Sequence, residues 1–379
     1  CEAERHYKTP IIQAQPLSQQ QWNDFQHLNA LRHQPHFKTQ FVPDDSAYDL
    51  QWNMRAIGME KAWDLRRDAE DVVVAVIDSG VDPEHPDLQD NLLPLEDIWC
   101  EFSGSDRLLN RRTRELFNFA GRDGNGHGTH VAGVIGAVLN NNEGVAGIAG
   151  QKVKILPIKV TNLQGETTAA LLVEAVLRAI DKKARVINMS IGAVGADQGI
   201  SRGLSLALDT ALEQGITIVA ASGNESDRAN NKVSDVSLPA AYPGIISVGA
   251  FLEEGSVANY SNGGDTLDIL APGGSGGFGR DGLPVISTWP TYPTFEFLTN
   301  RVTTLSYAGI SGTSMATPHV SAVAALILAQ EPGLTPQQVR SRLIATATDF
   351  GPVGFDTESG YGFLNAEKAL VAKGDGPRL

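Results

Sequence analysis

The 379-residue chain has almost no cysteine: Cys1 and Cys100 are the whole complement. Two such residues make no disulfide framework and no Cys-x-x-Cys metal pair. No stretch reaches the roughly 18 continuous apolar residues of a transmembrane helix, and no signal-peptide pattern opens the chain. A basic stripe is also lacking. The formal net charge is −14, with 30 Lys and Arg against 44 Asp and Glu, which speaks against nucleic acid as a partner. That acidity serves solubility, and part of it is available to gather around a cation. Periodic glycine is missing too. The 39 glycines cluster in short runs, so collagen-like and low-complexity readings fail.

What is present is ordinary globular composition, 42% hydrophobic and 20% charged. Residues 1–40 are polar and rich in Gln and His, and read as an extension or linker with a short helix around Gln20–Leu31. Residues 41–370 carry the folded pattern, and 371–379 form a tail. Val72–Ile77 is a β-branched run suited to a strand buried on both faces, and it ends at Asp78. Further strands are expected at Val153–Val160 (where Pro157 argues against one), Val186–Ile191, Ile216–Ala221, Ile245–Ala250 and Leu267–Leu270. Helices are expected at His127–Leu139, Thr168–Lys183, Gly199–Gln214, Thr313–Gln330 and Thr335–Ala347. The alternation predicts an α/β fold: a mostly parallel central sheet with helices on both faces. Sites in such sheets form at the carboxyl ends of strands, where Asp78, Ser190 and Ser222–Asn224 fall.

Three motifs carry chemistry. Asp78 closes a strand in Val76-Ile77-Asp78-Ser79-Gly80, His127 opens a helix in Asn125-Gly126-His127-Gly128-Thr129-His130, and Ser314 opens another in Gly312-Thr313-Ser314-Met315-Ala316. A serine hydroxyl is a poor nucleophile until an imidazole takes its proton. A carboxylate must then fix that imidazole's tautomer. A helix start lends Ser314 unpaired N–H groups beside a developing oxyanion. Pro318 is expected in the first turn, where its missing N–H costs little. Taken singly, Asp78 also reads as a turn residue, His127 as structural and Ser314 as an N-cap.

The three motifs together, in the order Asp, His, Ser, resemble the subtilase (subtilisin-like serine protease) family from about Phe41 to Leu370. The resemblance implies a triad of Asp78, His127 and Ser314. It makes Asn224, in Ala221-Ser222-Gly223-Asn224, a side-chain donor to the oxyanion. His130 and His319 are rival histidines placed inside helices, and Asp82 is the rival acid. Ser190-Ile191-Gly192 and Ala221-Ser222-Gly223 are implied to line the first specificity pocket, the former pairing with substrate backbone as an added strand. Ser237 would sit at the pocket base and suit large side chains, while Asp227 and Asp235 would favour basic ones; both readings stay open.

The resemblance also implies a calcium loop. Its ligands would be the carbonyls of Leu139, Glu143 and Val145, the Asn141 side chain, and the carboxylates of Asp87 and Asp45. The expected protein is thus a secreted, monomeric serine endopeptidase acting on polypeptides, with Ca2+ as its cofactor. Rival readings are a catalytically inactive binding protein on the same fold and an esterase using the same triad. Residues 91–121 read as a solvated insertion containing Cys100 and Arg111-Arg112-Thr113-Arg114. Val285–Leu305, with Trp289, Tyr292 and Phe295, reads as a cleft wall or a surface patch. Residues 1–40 are too short for the folding prodomain with which family members are made. Cys1 reads as a lipid-modified membrane tether, as a disulfide partner of Cys100, or as an idle thiol.

Overall fold

In the computed structural model the described residues are 6–8, 12–15, 41–98, 122–193, 199–275, 282–299, 302 and 304–372. The expected helix at Gln20–Leu31, both cysteines and Arg111–Arg114 lie outside them. Seven strands form the central sheet: β1 (Val73–Asp78), β2 (Glu96–Asp97), β3 (Lys154–Lys159), β4 (Val186–Met189), β5 (Thr217–Ala221), β6 (Ile246–Phe251) and β7 (Ile269–Pro272). Their spatial order is β7-β6-β5-β4-β1-β3-β2, and every neighbouring pair is parallel. The chain lays β2 and β3 on one side of β1, then reverses and adds β4 to β7 on the other. A crevice therefore opens at the carboxyl end of β1, where Asp78 stands.

The expected α/β sheet is present, and its strands are buried because helices cover both faces. Pro157 does lie inside a strand, β3, opposite Val76. The carbonyls of Ile155 and Lys159 accept from Leu93 and Ile98 at the sheet edge. Pro157, two residues from each, turns the same way, so its missing N–H faces the short β2 and costs β1 nothing.

Helices α1 (His127–Gly136) and α4 (Thr313–Gln330) pack together on one face. Helices α2 (Ala169–Asp181) and α3 (Arg202–Glu213) pack together against β1, β3 and β5. Their starts are capped, one and three residues later than expected: Thr168 accepts from Leu171 N–H, and Ser201 from Leu204 N–H. Helix α5 (Pro336–Thr346) opens with a full capping box, Thr335 with Gln338. Every residue of α4 from Thr313 to Leu328 is buried, as an all-round apolar helix demands.

Two short N-terminal strands stand apart from this core. His6–Lys8 lies antiparallel between Glu166–Thr168 and Gly192–Ala193. Ile12–Gln15 pairs antiparallel with Tyr307–Ser311, which also pairs with Val285–Thr288.

Candidate active site

The carboxyl end of β1 and the amino end of α1 meet through one ion-pair geometry. His127 Nδ1 is 2.8 Å from Asp78 Oδ1 and 3.0 Å from Oδ2, and both side chains are fully buried. A carboxylate only accepts, so the proton rests on Nδ1 and leaves Nε2 with a lone pair. Among the described residues Nε2 has no hydrogen-bond partner, and the Ser314 hydroxyl is bonded to the Ser190 carbonyl rather than to it, so Nε2 is free to accept a proton but is not yet paired with its donor. Glycines permit the close approach. A Cβ at Gly128 would lie 2.2 Å from the Gly80 carbonyl, and at Gly126, with φ +111°, 2.1 Å from Trp289.

Asp123 organises this helix start, and sequence reasoning missed it. Its Oδ1 accepts from Ser79 Oγ (2.8 Å), Asn125 N (3.0 Å) and Gly126 N (2.7 Å). Its Oδ2 accepts from Thr129 N (2.9 Å) and Thr129 Oγ1 (2.7 Å). Burial pushes its carboxyl upward while these hydrogen bonds pull it back. The available signal was an acid just ahead of a helix whose first N–H groups need acceptors.

Ser314 sits at the second residue of α4. Its hydroxyl donates to the Ser190 carbonyl at 3.2 Å, and the Ser190 hydroxyl donates to the Ser314 carbonyl at 2.8 Å. This exchange corrects the expectation for Pro318. The helix starts at Thr313, so Pro318 lies in the second turn and deprives the Ser314 carbonyl of its usual i+4 donor. The Ser190 hydroxyl replaces that donor. A proline four residues after the serine was the signal, and it was misread.

Asn224 follows β5. Its Oδ1 accepts from Thr313 N (2.9 Å) and Thr313 Oγ1 (3.0 Å), which fixes the amide orientation. Its Nδ2 is buried with no partner among the described residues. An unpaired buried donor costs about 1–3 kcal/mol, so its retention beside the start of α4 points to use. The rival histidines are otherwise engaged. His130 Nε2 meets the Val285 carbonyl, and burial lowers its pKa to about 3. His319 Nδ1 donates to the Met315 carbonyl and its Nε2 accepts from Asn53, with burial lowering the pKa to about 4. Asp82 accepts from both the N–H and hydroxyl of Thr291, which pins the 285–299 segment onto the loop after β1. Ser287 and Thr288 hydroxyls bind the carbonyls of His130 and Thr129. That segment is therefore a buttress behind the histidine.

The six expected substrate-contact residues present little side chain to their surroundings. The hydroxyls of Ser190 and Ser222 turn inward, the latter to the Asn262 carbonyl at 3.3 Å. Ile191, Ala221 and Gly223 are buried, and Gly192 is strand-paired. A cavity of about 670 Å³ lies alongside, lined by apolar Val236 and Leu238, by Ser237, and by the carboxylates of Glu225 and Asp235. Asp227 does not line it; its carboxylate accepts from Asn230 and Asn259.

The expected calcium ligands converge elsewhere. Asp45 accepts from Asn140 N with both oxygens, at 3.1 and 2.9 Å. Asp87 accepts from Asn141 Nδ2 (2.9 Å) and Val145 N (3.0 Å). Burial pushes Asp45 up to about 6, with repulsion from Asp44 adding to it, and Asp87 up to about 8, with repulsion from Asp45 and Glu143 adding to it. The carbonyls of Leu139, Glu143 and Val145 accept no backbone hydrogen bond among the described residues. No group of three or more His, Cys, Asp or Glu gathers among the described residues. This donor set is mostly carbonyl and amide oxygen, so it fits a hard cation such as calcium.

Comparison with known proteins agrees with this geometry. A model of the Subtilase family matches residues 69–362. The subtilisin of Bacillus pumilus is 36% identical over 298 residues, covering 79% of this chain and 90% of that relative. Thermitase of Thermoactinomyces vulgaris is 31% identical over 331 residues, covering 87% and 99%. A solved protease structure from Pseudoalteromonas arctica superposes with a TM-score of 0.70 at 30% identity, again covering 87% and 99%.

Proposed function

Because this chain belongs to the subtilase family and is a serine endopeptidase, we propose that Ser314, His127, Asp78 and Asn224 divide its chemistry among them. Ser314 Oγ attacks the scissile carbonyl of a polypeptide while His127 Nε2 takes its proton. Asp78 keeps the imidazole proton on Nδ1 and stabilises the cation that forms. The oxyanion is held by Asn224 Nδ2 and the Ser314 backbone N–H, a helix-start group with no intrahelical acceptor. The C–N bond then breaks, His127 protonates the leaving amine, and water hydrolyses the ester with His127 again as base.

The observation that carries this reading is the pair of buried, unpaired groups His127 Nε2 and Asn224 Nδ2, at the start of α1 and beside the start of α4. A fluorophosphonate should label the parent chain and not Ser314→Ala, and a peptide library should be cut only by the parent. An unlabelled parent would support the inactive scaffold, and labelling without peptide cleavage the esterase.

The same reading gives calcium to Asp45, Asp87, Asn141 and the carbonyls of Leu139, Glu143 and Val145. Such an ion would neutralise the two carboxylates and tie the segment around Asp45 to the loop after α1; it takes no part in the acyl transfer. An extracytoplasmic setting belongs to the proposal and is supported by that loop. Among the described residues no helix is long and apolar enough to cross a membrane. In the cavity beside Asn224, apolar walls and two carboxylates favour long side chains over acidic ones.

A further inference from the structure

The cavity beside Asn224 is enclosed by chain segments stitched together through backbone. Ser237 N donates to the Ser222 carbonyl at 2.8 Å, and Ala193 N to the Leu238 carbonyl at 2.8 Å. Its inner wall is the turn that leaves β5. Gly223 has φ +108°, and a Cβ there would lie 2.4 Å from Asn262 Nδ2, 2.5 Å from Glu225 Oε2 and 2.7 Å from Ser237 Oγ. The cavity therefore begins directly behind the backbone that carries Asn224. A substrate carbonyl held by Asn224 and attacked by Ser314 sets the side chain of its own residue against this wall.

The charge of this cavity is one-sided. Among the described residues its lining holds the carboxylates of Glu225 and Asp235 and no Lys, Arg or His. Glu225 is fixed in place: its Oε2 accepts from Asn224 N (2.9 Å) and Asn262 Nδ2 (2.7 Å). The same Asn262 amide donates to the Asp235 carbonyl at 3.1 Å, so one side chain ties both acids to one rim. Both residues are exposed there. The cations of the same loop are engaged elsewhere. Arg228 donates to the Ser261 carbonyl from Nε (3.1 Å) and Nη2 (2.9 Å) and pairs with Glu358. The charge of Lys232 acts on Asp227, which does not line the cavity. Apolar Val236 and Leu238 offer carbon surface to the stem of a long basic side chain, with its charged head at the two acids.

We infer that Glu225 and Asp235 make this cavity selective for lysine or arginine as the residue whose carbonyl Ser314 attacks, so that the enzyme releases peptides ending in a basic residue. The inference rests on the assignment of Ser314 and Asn224 given above and supplies the side-chain class which that assignment leaves open. Each carboxylate is exposed, so a single pairing is weak and salt-screened, and selectivity needs both acids on one head. A neutral side chain of equal length gains the apolar contact without the charge, which makes norleucine the comparator for lysine. The net charge of −14 draws any cationic peptide, so the comparison holds total peptide charge constant.

The test uses two peptides of one composition, in which lysine and norleucine exchange places between the residue before the cut bond and a position further upstream. The parent should favour lysine at the cut by about tenfold in kcat/KM, and added salt should shrink that ratio. Glu225→Gln, which keeps an acceptor for Asn224 N–H, and Asp235→Asn should each lower the ratio about threefold, and the double variant should abolish it. A parent that cuts peptides with a ratio near one would overturn the inference and leave the protease assignment intact. So would a lysine preference that survives in the double variant. A second readout needs no turnover: fluorescent forms of the two peptides, added to Ser314→Ala with and without the two carboxylate substitutions. Tighter binding of the lysine form by Ser314→Ala, lost with the carboxylates, supports the inference, and equal binding of both forms overturns it. If that difference appears while the parent cleaves no peptide, the charge selectivity of the cavity stands and the protease assignment of the site fails.

Discussion

Asp78 and Asp87 are buried carboxylates close in sequence, yet they keep different company. Asp78 faces the His127 ring with both oxygens, and under the proposed function that ring supplies the positive charge during the reaction. Asp87 faces an amide, a backbone N–H and, at longer range, other acids, so burial drives it up to about 8. One site balances its charge with groups from β1, α1, β5 and α4. The other gathers oxygen, and under the proposed function its balancing charge is a bound calcium ion. On that reading the catalytic centre is preorganised by covalent protein, whereas the loop is completed by its ion.

Four measurements would break or sharpen this contrast. The largest effect should come from Asn224→Leu, which removes the unpaired Nδ2 donor. Turnover should fall about 10²–10³-fold, the range known for the corresponding subtilisin donor, with KM and melting temperature nearly unchanged. Near-normal turnover would remove Asn224 from the oxyanion site. Next comes the loop. Chelation, or Asp87→Asn assayed with added calcium, should cost about 2–3 kcal/mol, read as a melting temperature lower by about 5–10 °C. A chelator that leaves the melting curve in place would mean the carboxylates are balanced in another way.

A smaller effect tests the preorganised side. Ser190→Ala leaves the Ser314 carbonyl without a donor and should cut kcat about tenfold, the worth of one buried hydrogen bond. Pro318→Ala restores the backbone N–H at that carbonyl, so Ser190→Ala should cost distinctly less on that background. Equal costs in both backgrounds would show that the carbonyl's donor does not matter. The smallest effect concerns the neutral core histidine. His319 is pushed to about 4 by burial, below its unfolded value of about 6.5. Between those values the unfolded chain binds the extra proton, so stability falls as pH falls, by at most about 1.4 kcal/mol per pH unit for this group. His319→Gln should flatten the parent's slope of stability against pH between 6.5 and 4, followed by denaturant melts. An unchanged slope would mean His319 titrates normally.

Much of the framework was legible because it is local. Continuous β-branched runs became the parallel strands, and Thr168, Ser201 and Thr335 capped the helices they precede. Pro157 was harder, since a proline's tolerance in a strand depends on which neighbour its missing N–H faces, and that is a property of the sheet. Asp123 was invisible for a like reason. Four of its five donors are close in sequence, but the Ser79 hydroxyl comes from the far end of β1. Pro318 was noticed and placed a turn too early, and the compensating hydroxyl lies 124 residues away.

By itself the sequence determined the residue types at strand ends and helix starts, because period, capping and backbone stiffness act over a few residues. It also determined which side chains are chemically able to attack, accept a proton or donate to an oxyanion. Tertiary structure alone decided which of them work together. It set His127 against Asp78 and turned His130 and His319 into neutral core groups. It replaced the bond lost at Pro318 with a hydroxyl from Ser190. Hydrogen bonds and burial act through space, and the distances that govern them are fixed only when the sheet has closed under its helices.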